Sequence, residues 1–381
     1  MELPPLSLYV HLPWCVKKCP YCDFNSHAVK GETPYEDYTR ALLKDLEKDL
    51  SLVWGRTVHS VFFGGGTPSL FSAKQIEQLL AGFRSLLKIS PEAEVTLEAN
   101  PGTTEYDSFA AYRDAGVNRV SLGAQSFQND CLAAIGRIHG RAEIERAVES
   151  IRRSGIRNFN IDLMYALPGQ TVESAVQDVR DAVACEPSHV SHYQLTLEPN
   201  TAFHAHPPPL PDGDLAGHMQ DECSRSLQDT GYGQYEISAW ARPGQECRHN
   251  LNYWRYGDFL GIGAGAHSKI TLPSENTVQR RIRSRHPASW MKQVWQGKGL
   301  AEDRSLDASE RVFEFFLNQL RLKMGVKKSQ FEPRTGVSWA DVESRVDSAI
   351  EKGLLEEENG LLVPTALGWR FTNEIQVLFL P

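Results

Sequence analysis

The chain has 381 residues, 41% of them apolar and 23% charged, with a formal net charge of −8. That length suggests two or three domains around a large core, and the acidic balance lacks the basic footprint of a nucleic-acid-binding protein. MELPPLSLYVHLP has no charged n-region ahead of an apolar stretch, no run approaches the ~18 apolar residues of a membrane span, and seven cysteines without an export signal point to a reducing cytoplasm.

From residue 7 to about 197, short β-branched or aromatic runs alternate with longer segments of helical spacing. The strand-like runs cover 8–11, 58–63, 94–98, 119–122, 158–162 and 189–195, and helical stretches between them include 35–50, 73–87, 142–155 and 172–186. This alternation predicts βαβ units on a parallel sheet, with right-handed crossovers that curl it into an open sheet or most of a barrel. Unusual polar groups stand where the strands end: Cys15, then Gly64, Gly65, Gly66 and Thr67, then Glu98, Gln125 and Asp162. The C-terminal edge of a parallel sheet is where sites are built, so these ends predict one shared mouth.

Beyond residue 200 the rhythm changes to a proline-rich loop at 204–214, a helix-like stretch near 216–229 and a β-like run at 233–241. A segment dense in glycine and aromatics follows at 249–268; its GIGAGA (261–266) lacks dinucleotide-fingerprint spacing and reads as a close-packed strand near a ligand. RRIRSRH (280–286) reads as a solvated basic strand or loop, with receipt of a ligand's carboxylates or of an acidic acceptor patch as its functional alternative. From about 306 the pattern is helical, and LLEEENGLLVPT turns as a hairpin at Asn359-Gly360. The expected partition is 1–235, a barrel-completing segment 236–300, and a winged-helix-like C-terminal domain 301–381.

Cys15, Cys19 and Cys22 form C-x3-C-x2-C. A thioredoxin-like pair at Cys19 and Cys22 leaves Cys15 idle, and structural zinc wants a second knuckle that the scattered cysteines 131, 185, 223 and 247 do not supply. An iron–sulfur cubane on three thiolates uses all of them and leaves one iron open to a small chelating molecule.

That spacing, with Tyr21 before the last cysteine, resembles the signature of radical S-adenosylmethionine (SAM) proteins. YVHLPWCVKKCPYCDFNSH, FFGGGTPSL, LEANPG, RVSLGAQSF, IGRIHGR and NIDLMYALPGQT together resemble oxygen-independent coproporphyrinogen III oxidase and its relatives over nearly the whole chain. The resemblance implies an α/β fold, a partial (β/α)6 TIM-like barrel with a smaller C-terminal α+β domain, and a 4Fe-4S cluster whose open iron takes the amino and carboxylate groups of SAM. It places Tyr9 and Tyr21 beside the cluster and SAM, and Gly65, Gly66 and Thr67 at the SAM amino end. Glu98, Gln125, Arg137 and Asp162 correspond to polar SAM contacts. Chemically, glycines permit close approach to free backbone groups, a strand-end carboxylate accepts from a ribose or an ammonium, and an arginine forks a carboxylate.

The oxidase is expected to carry one more cysteine two positions after the third; here that position is Phe24, which offers neither ligand, thiol nor proton. HNLNYW (249–254) matches the HNxxYW motif of the radical SAM heme chaperones, which implies heme binding and delivery to acceptors such as respiratory cytochromes. His249 is then the leading heme ligand, since a neutral imidazole is a common axial ligand, and Tyr253 and Trp254 can pack on a porphyrin. His192, His204, His206 and His267 are rival ligands, and Cys247 a further donor. Oxidative decarboxylation of coproporphyrinogen III is the enzymatic alternative; an RNA-modifying radical SAM enzyme is disfavoured by the negative charge.

Overall fold

The computed structural model describes residues 1–102 and 107–381. Six strands run parallel and in chain order: β1 (Leu6–Leu12), β2 (Thr57–Gly65), β3 (Lys88–Ala99), β4 (Arg119–Gln125), β5 (Asn158–Tyr165) and β6 (His189–Gln194). The helices between them include α1 (Tyr35–Asp49), α2 (Ala73–Leu86), α3 (Phe109–Ala115), α4 (Asn129–Ala134), α5 (Arg141–Ser154) and α6 (Val172–Ala184). α3 and α4 are additional to the periodic segments read from the sequence: at 7 and 6 residues they are too short to display an amphipathic period. The α/β architecture with its mostly parallel sheet is as expected.

The sheet continues beyond the six. A hairpin, β7 (Gly233–Glu236) and β8 (Ala239–Ala241), pairs antiparallel on β6. On the far side β9 (Asp258–Ile262) lies parallel to β1, and β10 (His267–Leu272), β11 (Thr277–Arg283) and β12 (Leu300–Ser305) follow antiparallel, making twelve strands. Residues 236–300 are thus continuous with the main sheet. The GIGAGA stretch is tight for a reason: a Cβ on Gly261 would sit 1.9 Å from the His267 carbonyl oxygen.

RRIRSRH departs from the solvated segment read in the sequence. Arg283 is buried and pairs with Asp45 and Asp49 of α1, Arg281 also pairs with Asp49, and Arg280 forks Glu314. The neighbouring anions of α1 decide this, and they lie more than two hundred positions away in sequence.

A second core lies in the C-terminal region, where α7 (Ala308–Gln319) opens on a capping box between Asp307 and Glu310 and buries Phe315 and Phe316 with Phe331 and Phe379. The hairpin turns at Asn359 and Gly360, whose φ values of 52° and 75° fit a type I′ turn. Among the described residues no helix is long and apolar enough to cross a membrane.

One buried ion group ties β9 to its neighbours. Asp258 accepts from Arg56 Nη1 at 2.7 Å, Lys269 Nζ at 3.0 Å, and the Thr271 amide and hydroxyl at 2.9 and 2.8 Å. Replacing Asp258 with alanine strands the Lys269 ammonium, and chemical denaturation should read a loss of about 3–5 kcal/mol. A loss under ~1 kcal/mol would show that the group is dispensable.

Candidate functional site

Strand pleating sorts the side chains of β1–β6 onto two faces. Leu8, Val10, Val61, Phe63, Leu97, Val120, Ile161 and Val190 bury outward in the main core. The alternate positions form a polar inner face: Tyr9 is opposite Phe62, Glu98 opposite Ser121, Ser121 opposite Asn160, and Asp162 opposite Ser191. Two cavities open on it, of about 380 and 530 Å³, and they share Phe24, Glu98, Asp162 and Tyr193 as a common wall.

The smaller cavity is lined by Cys15, Cys19, Cys22 and Tyr21 together with Gly65, Gly66, Gln125 and Arg137. All seven cysteines are free thiols. The Cys22 amide donates to the Cys19 carbonyl at 3.2 Å, closing a turn that points the thiols inward, and Arg137 Nη1 donates to Cys19 Sγ at 3.4 Å. Arg137 is held by Asn100 and the Gly123 carbonyl, each at 2.6 Å, while its buried Nε has no partner among the described residues. Burial pushes the Cys15 and Cys22 thiols up, so iron binding there must expel protons. No three His, Cys, Asp or Glu among the described residues converge on one metal ion. A cubane makes no such demand, because it spreads its thiolates over separate irons.

Burial, reinforced by the Asp162 charge, raises the Glu98 carboxyl to about 8, although the Gly65 amide donates to it at 3.2 Å. Asp162 is raised as well, chiefly by burial, against hydrogen bonds that include Asn160 Nδ2 at 2.8 Å. The wall between the cavities therefore holds two carboxyls with a tendency to stay neutral. Gln125 ends β4 with a φ of 73°, a left-handed conformation rare outside glycine and often found at functional positions.

One expectation is corrected here. The amides of Gly65, Gly66 and Thr67 are not free: they donate to Glu98, Leu12 and Trp14. Thr67 lines neither large cavity; it is buried, its hydroxyl accepts from Asn100 Nδ2 at 2.9 Å, and it lies against the Cys15 thiol. Tyr9 belongs to the larger cavity, where its hydroxyl meets His11 Nδ1 at 3.1 Å. The glycine turn itself is closely packed: a Cβ on Gly66 would fall 2.5 Å from the Trp14 carbonyl oxygen.

HNLNYW is a helix, Arg248–Trp254, set across the opening of the larger cavity. Its N-terminus is held from inside the sheet: Glu94 of β3 accepts the amides of Arg248 and His249 at 3.2 and 3.1 Å and the Cys247 thiol at 3.5 Å. Glu94 in turn faces Arg119 at 4.0 Å, both buried. Asn252 anchors the helix to Ser7 Oγ and the Asp258 carbonyl, each at 2.9 Å. His249 then lies beside Phe62, with ring centroids 4.9 Å apart, and its Nδ1 is 3.1 Å from Ser60 Oγ. Nε2 has no hydrogen-bond partner among the described residues. Burial, and then the Arg119 charge, lower the imidazole to about 3, so it is neutral across the physiological range.

Of the rival donors only His267 lines this cavity. His192 faces the outer side, stacked on Tyr165 at 4.6 Å; His204 and His206 line neither cavity; Cys247 is buried against Glu94.

The match to known proteins follows this layout. Residues 9–182 match the radical SAM superfamily, and residues 306–371 match the HemN C-terminal domain. The chain is 47% identical over 380 residues to the heme chaperone HemW of Escherichia coli (strain K12), covering 100% of this chain and 99% of the relative. The chain belongs to the HemW family. The corresponding protein of Haemophilus influenzae is 46% identical over 383 residues, again covering 100% and 99%. Radical S-adenosyl methionine domain-containing protein 1, mitochondrial, of Mus musculus is 37% identical over 92% of this chain and 81% of that one. In fold, this HemW-family chain superposes on coproporphyrinogen III oxidase (HemN) from Escherichia coli with a TM-score of 0.83 at 24% identity, covering 99% of this chain and 90% of that one.

Glu94, Asn100 and Arg119 escaped the sequence reading. The signal was present in β3, where Glu94, Thr96 and Glu98 alternate with the apolar Ala93, Val95, Leu97 and Ala99. Glu94→Gln removes the charge that caps the HNLNYW helix and pairs Arg119. It should speed hydrogen exchange in 247–254 and lower stability by about 1–3 kcal/mol. Unchanged exchange there would mean that Asn252 alone seats the helix.

Proposed function

We propose that this chain is a heme chaperone that binds heme in the larger cavity and passes it to acceptor proteins, such as respiratory cytochromes, from the cytoplasm. The observation that carries this is the His249 imidazole: neutral, with Nε2 unpartnered, on a cavity walled by Phe62, Tyr253, Trp254 and Phe259. A neutral imidazole is an axial donor without loss of a proton, and the aromatics suit a porphyrin face. A single protein ligand keeps the iron exchangeable, which delivery requires.

In this reading Cys15, Cys19 and Cys22 are the donors for a 4Fe-4S cluster, and Tyr21, Gly65, Gly66, Glu98, Gln125, Arg137 and Asp162 surround SAM at its open iron; their common lining of the smaller cavity supports it. When bound, such a cluster supplies an electron to SAM. The chain's own part is to hold the thiols inward, to keep the Arg137 guanidinium beside Cys19, and to present at the wall two carboxyls that burial raises above their ordinary range.

A second reading, oxidation of coproporphyrinogen III, has one feature in its favour. The shared wall would bring a tetrapyrrole side chain next to the SAM cavity. Phe24 stands in that wall where the oxidase is expected to carry a thiol, and this weighs against it.

Anaerobic titration of the reconstituted protein with heme, followed by visible absorption, should saturate near one heme per chain. His249→Ala should weaken that binding by at least about tenfold, or change its spectrum, while leaving the cluster in place. No saturable binding in the unsubstituted chain, together with turnover of coproporphyrinogen, would replace this reading with the oxidase. For the smaller cavity, Cys19→Ala should abolish the broad visible absorbance of the reconstituted cluster. A full complement of iron and sulfide in that variant would move the cluster elsewhere.

A further inference from the structure

The charged groups lining the larger cavity fall into two sets. Asp23, Glu98 and Asp162 also line the cysteine cavity, whereas Arg119, which faces Glu94, and, from the 280–286 segment, Arg280 and Arg285 line the larger cavity alone. The arginines of this segment are not equivalent. Arg281 and Arg283 are committed to Asp45 and Asp49. Arg280 is forked by Glu314, with Nε–Oε1 at 3.0 Å and Nη2–Oε2 at 2.7 Å, and lies over the Phe259 ring.

Arg285 differs from all three. It is exposed, and its guanidinium has neither an ion pair nor a hydrogen bond among the described residues. Its backbone is nonetheless fixed, because Asn25 Nδ2 donates to the Arg285 and Ala264 carbonyls, both at 2.9 Å. An anchored backbone thus presents an unpaired planar fork at the edge of an aromatic cavity. Such a fork matches a carboxylate in bidentate geometry.

A ligand fitting all of these features has a metal for the imidazole, a flat apolar ring for the aromatics, and carboxylates at one edge. We propose that Arg285 receives a propionate carboxylate of the bound heme. That carboxylate is thereby held at the Arg285 rim of the cavity, and Arg285 becomes a specificity-determining residue of the cargo site. This inference rests on the heme reading above.

The test titrates the reconstituted protein, and its Arg285→Gln and Arg285→Lys variants, with heme and with heme dimethyl ester. The side chain is exposed and unpaired, so neither substitution removes a contact that the fold uses. The unsubstituted chain should prefer heme over its ester by about fivefold. Arg285→Gln should erase that preference by weakening heme alone, and Arg285→Lys should retain part of it. Equal affinity for heme and ester in the unsubstituted chain would overturn the propionate contact while leaving the chaperone reading intact, as would equal weakening of both ligands by Arg285→Gln. If neither ligand saturates the unsubstituted chain, the heme reading and this inference fall together.

Discussion

The buried carboxylate of Glu94 is the constraint on which the larger cavity depends. It lies on the inner face of a strand, out of water, where an unpaired charge would cost several kcal/mol. It is stable there because the Arg119 guanidinium faces it and because it accepts the amides of Arg248 and His249 and the thiol of Cys247. Capping a helix with a carboxylate also satisfies its positive end. The same contacts that make the charge tolerable fix where the helix begins, and so where the His249 ring comes to lie. Arg119 in turn helps to keep that ring unprotonated.

Around this anchor the inner face divides into two regions with different chemistry. One gathers three thiols, a buried arginine and a strained Gln125; the other gathers an imidazole, aromatic rings, and Arg119, Arg280 and Arg285. The boundary between them is thin. Phe24, Glu98, Asp162 and Tyr193 belong to both, so any ligand in one cavity meets atoms that also line the other. Burial raises both carboxyls of that wall above their ordinary range. Phe24 adds an apolar ring where a thiol would add reactivity.

The C-terminal region is more than an appendage to the sheet. Tyr256 follows the HNLNYW helix, turns with a φ of 56°, and inserts its ring into the second core against Phe315. Arg321 of that region lies over Trp254, 4.4 Å from the ring centroid. The helix carrying His249 is therefore gripped at its start by β3 and at its end by the C-terminal core. A match to the HemN C-terminal domain over 306–371 thus bears on the geometry of the larger cavity as well as on the periphery.

Much of this was legible in the residues alone. Short β-branched or aromatic runs and helical spacings marked the six parallel strands and the longer helices, because side-chain shape and helical pitch act locally whatever the tertiary contacts. The C-x3-C-x2-C spacing brought three soft donors together, and Asn359-Gly360 marked a hairpin, because both are local. Tertiary structure alone decided the rest. It showed that the glycine-turn amides are already bonded, that Thr67 turns from the large cavities, and that Tyr9 belongs with His249 instead of the cysteines. It also divided one run of arginines into buried partners of Asp45 and Asp49, a forked partner of Glu314, and the unpaired Arg285. A charged side chain's role depends on which counter-charge the fold brings within a few ångströms, and sequence spacing carries no information about that distance.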